Sequence, residues 1–152
     1  PREFEGKNVL LVDDSIVRGT TSEQIIEMAR EVGASKVYFA SAAPPVRYPN
    51  VYGIDMPAVD EFIANGKSVE EINTTIGSDK LFYQRLDDLE EVTGHKETNI
   101  DGFDSSCFNG EYVTGDITQA YLDKLREERN DATKQEKSVG DEQGIDMHND
   151  QA

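Results

Sequence analysis

The residues of this chain best equipped for chemistry lie together in Val9-Leu10-Leu11-Val12-Asp13-Asp14-Ser15-Ile16-Val17-Arg18-Gly19-Thr20-Thr21. Asp13 and Asp14 offer adjacent carboxylates, which can accept hydrogen bonds from vicinal hydroxyls or share a divalent cation. Neighbouring acids repel each other, so hydroxyls or a cation are needed to satisfy the pair. Ser15, Thr20 and Thr21 add hydroxyls, Arg18 adds a positive charge, and Gly19 lets backbone come close to a ligand. A helix beginning near Thr20 would contribute unpaired N–H groups and the positive end of its dipole, the usual provisions for a phosphate. Carboxylates for hydroxyls beside donors for a phosphate are what a sugar phosphate requires.

Those groups need a scaffold that brings them to one point. Val9 to Val12 read as a buried parallel strand, apolar without alternation because both faces would be covered. The acids then fall at the C-terminal end of a strand, where ligands of open α/β sheets gather. A helix is expected from about Thr21 to Val32, with Ile25, Ile26, Met28, Ala29 and Val32 as its apolar face. Thr21 or Ser22 would cap it, Glu23 would complement its dipole, and Gly33 would stop it. A second strand follows at Lys36 to Ala42. Strand, helix and strand at this spacing make a βαβ unit.

Pro44, Pro45 and Pro49 force an irregular segment. Helical patterns follow at Ala58–Ala64 and Val69–Ile76, then a short strand at Leu81–Gln84 and a short helix at Leu86–Val92. Gly66-Lys67-Ser68 resembles the end of a phosphate loop, but no strand precedes it, so it reads as a helix end and the cap of the next. Asn109-Gly110, between Phe108 and Tyr112, suggests a small hairpin over Cys107–Thr114. A last helix is expected at about Ile117 to Arg129, with Ala120, Tyr121 and Leu125 on one side and Arg126–Arg129 on a solvated face. The organisation is thus 1–93 as an α/β part, 94–130 as a hairpin and helix, and 131–152 as a disordered tail.

Composition narrows the partners. The 152 residues carry a formal net charge of −16, which opposes binding to nucleic acid or to an anionic membrane surface. The single cysteine, Cys107, rules out an internal disulfide and suits a reducing compartment. No run is apolar enough to span a membrane and no signal-peptide pattern is present, so a cytoplasmic location is expected. His95 and His148 lie in polar stretches and read as exposed.

The motif of two acids after an apolar strand, then a small-residue loop ending in Gly19-Thr20-Thr21, resembles the signature of the type I phosphoribosyltransferases. Within that family the wording is similar to that of the glutamine-dependent amidotransferases of purine synthesis. Ser41-Ala42-Ala43-Pro44-Pro45, Tyr48-Pro49-Asn50-Val51-Tyr52-Gly53-Ile54-Asp55 and Phe108-Asn109-Gly110-Glu111-Tyr112-Val113-Thr114 extend the likeness from about Phe4 to Leu125. The resemblance implies the C-terminal part of a type I phosphoribosyltransferase fold: a parallel sheet with flanking helices, then a C-terminal helix and tail.

It further implies that Asp13 and Asp14 engage ribose hydroxyls and a Mg²⁺ carried with pyrophosphate. Ser15, Val17, Arg18, Gly19, Thr20 and Thr21 would hold the 5-phosphate. The implied ligand is phosphoribosylpyrophosphate, the implied product 5-phosphoribosylamine, and purine nucleotides are the implied feedback inhibitors. The family's glutaminase domain, with its N-terminal cysteine nucleophile, has no counterpart here, since the chain opens at Pro1. An upstream part, a homo-oligomeric parent and an inactive isolated segment are expected. Some members hold an iron–sulfur cluster. Here Asp104 and Asn50 stand at two of its ligand positions and Cys107 at a third, so no cluster is expected and Cys107 reads as structural.

Two other functions compete. A non-catalytic nucleotide-sensing module could share the fold. A receiver-type signalling domain also has an acidic pair after its first strand, but it needs an acid after a later strand, and Ser41-Ala42-Ala43 supplies none.

Overall fold

The computed structural model describes residues 3–94 and 102–131. Three parallel strands, β1 (Asn8–Asp13), β2 (Lys36–Ser41) and β3 (Lys80–Tyr83), lie in the order β1-β2-β3. Helix α1 (Thr20–Glu31) joins β1 to β2, and α2 (Val69–Ile76) precedes β3. Short helices α3 (Leu86–Val92) and α4 (Ser106–Asn109) follow, and residues 119–131 form a fifth helix, α5.

The core lies on one face of the sheet, beneath α1 and α2. Val37, Phe39 and Leu81 point there from the strands and meet Ile26 and Ala29 of α1 and Ile72 and Ile76 of α2. Ile16 from the β1–α1 turn, with Ile63 and Ala64, completes it. Truncating a side chain as enclosed as Phe39 or Ile72 costs about 2–5 kcal/mol in comparable cores, so this cluster holds the sheet to its helices. The buried stripe of α1 is narrower than the sequence suggested: Ser22, Ile26 and Ala29 are inside, whereas Ile25 and Met28 face out.

The other face is open. Leu10 and Val12 are 56% and 69% exposed, and Phe82 is 45% exposed. Among the described residues nothing packs over the second face of β1.

A charge-assisted knot ties the elements at the N-terminal end of the sheet. Arg30, at the end of α1, donates to the Gly77 carbonyl (2.8 Å) and to the Asp79 carboxylate (2.9 Å). The same carboxylate accepts the Val37 backbone N–H at 2.8 Å. That N–H and the nearby arginine hold the Asp79 carboxyl below the usual carboxylate range. A lowered folded-state pKa means stabilisation present above the ordinary carboxylate value and lost as pH falls through the folded value. Urea denaturation as a function of pH is expected to show falling stability below about pH 4, with a shallower acid limb in Asp79→Asn. Identical limbs would refute that coupling.

Three local expectations are corrected. Ala58–Ala64 is not a helix but one 3-10 turn, Val59–Glu61. Phe62, Ile63 and Ala64 are all buried in succession, which one face of a helix cannot achieve. Cys107–Thr114 is not a hairpin: α4 ends at Asn109 with Gly110 as a left-handed cap (φ 76°). Asn-Gly serves a helix C-terminus as readily as a tight hairpin turn. The side chains of α5 that turn inward are Leu122, Leu125 and Arg129, with Ala120 and Tyr121 exposed.

Nor is Arg126–Arg129 simply a solvated face. Arg126 pairs with Asp60, Asn130 donates to the same carboxylate at 2.8 Å, and Arg129 reaches the Asn50 carbonyl. The sequence reading held at Ser68, which caps α2 in a reciprocal box with Glu71. His95, His148 and the tail beyond residue 131 lie outside the described residues. Among the described residues no helix is long and apolar enough to cross a membrane.

Candidate functional site

Strand β1 ends at Asp13, beside Ser41 of β2, and the chain turns over the C-terminal edge of the sheet before α1 begins. The turn stays compact because Ile16 buries completely in the core. Gly19 occupies the N-cap of α1 with φ 84°, and no side chain caps the helix. That corrects the expectation that Thr21 or Ser22 would cap it. The first cap bond is backbone only, from the Glu23 N–H to the Gly19 carbonyl at 2.9 Å. By helix geometry the N–H groups of Thr20, Thr21 and Ser22 have no intrahelical acceptor. An uncapped helix start is costly unless a ligand or water supplies the acceptor.

Asp13, Asp14, Ser15, Val17, Arg18, Gly19, Thr20 and Thr21 all line one crevice of about 400 Å³, together with Ile16, Ser22 and Pro57. Every sequence-predicted site residue is thus brought to one place. The acids adopt a local arrangement: Asp13 Oδ1 accepts the Asp14 N–H (2.9 Å), and Asp14 Oδ1 accepts the Ser15 hydroxyl (3.2 Å). Neither carboxylate belongs to an ion pair among the described residues. No group of three or more His, Cys, Asp or Glu residues is placed to hold a metal ion there or elsewhere among those residues. Two carboxylates alone are a poor cage for Mg²⁺, but they suit a cation that brings water and ligand oxygens with it. Arg18 sits at the rim, its Nε donating to Glu61 Oε2 at 2.9 Å.

Local sequence gave no sign of Pro57, Glu61 or Ile63. They come from some forty residues downstream, Glu61 and Ile63 from the stretch Ala58–Ala64 whose spacing predicts a helix and Pro57 from just before it. The Ile63 N–H donates to the Val17 carbonyl at 2.8 Å, and the Ile63 side chain fills the space where a Cβ on Gly19 would stand. A somewhat larger crevice, about 450 Å³ beside Glu90, Phe103, Ser105 and Glu111, borders residues outside the described range. Among the described residues it carries carboxylates with no facing cation, so it is a weaker candidate for an anion.

Cys107 is a packed, half-buried thiol, its Sγ 3.9 Å from Met56 Sδ. Burial pushes it above the ordinary thiol value, which disfavours the reactive thiolate. Asn50 is buried, its side-chain oxygen accepting the N–H groups of Tyr52 (2.9 Å) and Ile54 (3.0 Å). It works here as a loop former.

No family model matches the chain. An amidophosphoribosyltransferase of Pseudomonas aeruginosa is 59% identical over 148 residues, which cover 97% of this chain and 29% of that protein. Among solved structures, the glutamine phosphoribosylpyrophosphate amidotransferase from B. subtilis, complexed with ADP and GMP, superposes with a TM-score of 0.66. It is 39% identical over 78% of this chain and 27% of its own. A structure described as the allosteric regulatory enzyme of purine biosynthesis gives a TM-score of 0.69 at 41% identity, covering 80% of this chain and 26% of its own. The chain spans under a third of the length of the relatives it matches. Across nearly all of its length, and on the same fold, the chain is thus similar to one segment of the amidophosphoribosyltransferases.

Proposed function

We propose that this chain carries the phosphoribosylpyrophosphate site of an enzyme that forms 5-phosphoribosylamine from that substrate and glutamine-derived ammonia, in purine synthesis. The observation that carries the reading is the single crevice, with the paired acids at one end and an uncapped helix start at the other. The relatives' names agree with it. Asp13 and Asp14 orient the ribose through its vicinal hydroxyls. Ser15, Val17, Arg18, Gly19, Thr20 and Thr21 hold the 5-phosphate.

In the reaction a C–N bond forms at the anomeric carbon as the C–O bond to pyrophosphate breaks, with positive charge developing on the ring. Fixing the pentose at both ends keeps that carbon in line between nucleophile and leaving group. Mg²⁺ held at Asp13 and Asp14 would neutralise pyrophosphate. A glutaminase domain, self-association and inhibition by purine nucleotides belong to the proposed parent enzyme. The nucleotides bound to the B. subtilis relative favour the last of these.

Isothermal titration of the chain with phosphoribosylpyrophosphate is expected to give heat with Mg²⁺ present and much weaker heat with a chelator. No binding under either condition would remove the proposal.

A further inference from the structure

Three successive residues of the phosphate-binding turn are each met by one short segment distant in sequence. Val17 offers its carbonyl to the Ile63 N–H at 2.8 Å. Arg18 Nε donates to Glu61 Oε2 at 2.9 Å. Gly19 lies against the Ile63 side chain. That segment is itself anchored. Glu61 N–H closes the 3-10 turn onto the Ala58 carbonyl at 2.8 Å, Ile63 and Ala64 enter the core, and Arg126 and Asn130 of α5 grip the adjacent Asp60.

The Arg18–Glu61 pair has an orientation that matters. The carboxylate is the less exposed partner, at 25% against 53% for the arginine side chain, so Glu61 is the post and Arg18 the group tied to it. The tie uses Nε alone. The four Nη–H donors, the fork that recognises phosphate oxygens in pairs, make no hydrogen bond to the described residues and stand at the rim of the crevice. An untethered arginine would surrender most of its rotamer freedom on fixing an anion, and a tethered one has already surrendered much of it.

We propose that Glu61 is a positioning residue for phosphate binding, aiming the Arg18 guanidinium from a turn that α5 and the core hold in place. The proposal rests on the reading of the crevice as a pentose-phosphate site. Two effects of Glu61 oppose each other. Its negative charge weakens Arg18 as an anion receptor, whereas its hydrogen bond fixes the direction of the fork. The pair stands at a half-exposed rim, where charge is screened, so direction outweighs charge.

The test is titration of the 152-residue chain with ribose 5-phosphate, following the amide resonances of Gly19, Thr20 and Thr21. Glu61→Ala is expected to weaken binding about fivefold by releasing the side chain it held. Glu61→Gln, which keeps the acceptor and drops the charge, should stay within about twofold of the unchanged chain. In an Arg18→Ala background Glu61→Ala should have no further effect, whereas a merely structural role would lower affinity equally in both backgrounds. Should Glu61→Ala fail to fold, Arg18→Lys replaces it. Lysine keeps the charge without a fork, and a similar loss is expected. Tighter binding by Glu61→Ala and Glu61→Gln alike, equal losses in both backgrounds, or unaltered binding by Arg18→Lys would each overturn the proposal while leaving the site intact. An unchanged chain that ignores ribose 5-phosphate would overturn the site and this role together.

Discussion

Asp13→Asn together with Asp14→Asn is expected to cost the chain about a hundredfold in affinity for phosphoribosylpyrophosphate in the presence of Mg²⁺, while leaving its fold unchanged. Each carboxylate that accepts from a hydroxyl, or meets a cation, makes a charge-assisted bond worth roughly 1.5–3 kcal/mol, and an amide keeps the shape without the charge. Two such losses amount to about 3 kcal/mol, which is about two decades in a dissociation constant. The fold should not notice. Neither acid belongs to an ion pair among the described residues, and an asparagine oxygen can still accept the local bonds from the Asp14 N–H and the Ser15 hydroxyl. Relief of like-charge repulsion should leave stability level or slightly raised. Binding of inorganic phosphate, which needs the helix start and Arg18 but neither acid, should persist. Calorimetry with both ligands separates these outcomes, and an undiminished affinity for the pentose pyrophosphate would disprove the role of the acids.

Gly19→Ala is expected to damage both stability and binding. At φ 84° an L-residue pays roughly 1–2 kcal/mol for the left-handed conformation. The new methyl also runs into Ile63 Cδ1, which is core and not a flexible surface chain, and overpacking of this kind adds roughly 1–3 kcal/mol. The sum, about 3 kcal/mol, should appear as an earlier urea midpoint with an unchanged slope. Because the helix start moves with Gly19, phosphate affinity should fall even where the variant remains folded. Gly66→Ala makes the control. Its φ is 65°, but nothing stands within 4 Å of an added Cβ, so about 1 kcal/mol and no change in binding are expected. Equal effects at the two glycines would mean that Ile63 does not shape the turn.

The contrast between those glycines shows where reading the chain by eye stops. Both announce a turn, and only one has a neighbour that forbids a side chain. α2 and its Ser68 cap were legible because a capping box and a helical apolar period are local patterns. β1 and the two acids were legible for the same reason, since the chemistry of the loop is written in consecutive residues, but the cap of α1 was not, because Gly19 and neither Thr21 nor Ser22 holds it. Asn109-Gly110 misled, because one dipeptide satisfies two kinds of left-handed backbone. The stretch after Pro57 misled because its apolar residues are spaced like a helix yet are buried in succession by unrelated partners.

By itself, then, the sequence determined which groups line the crevice proposed to take the ligand: Asp13 and Asp14, the hydroxyls, and the glycine before α1. Periodicity, capping and adjacency act over a few residues, and these groups are neighbours in the chain. Only the tertiary structure decided that Glu61 takes Arg18, that Ile63 closes on Gly19, and that Asp60 is held by α5. Contacts between positions more than forty residues apart depend on how buried side chains share one core volume, and no local spacing rule encodes that.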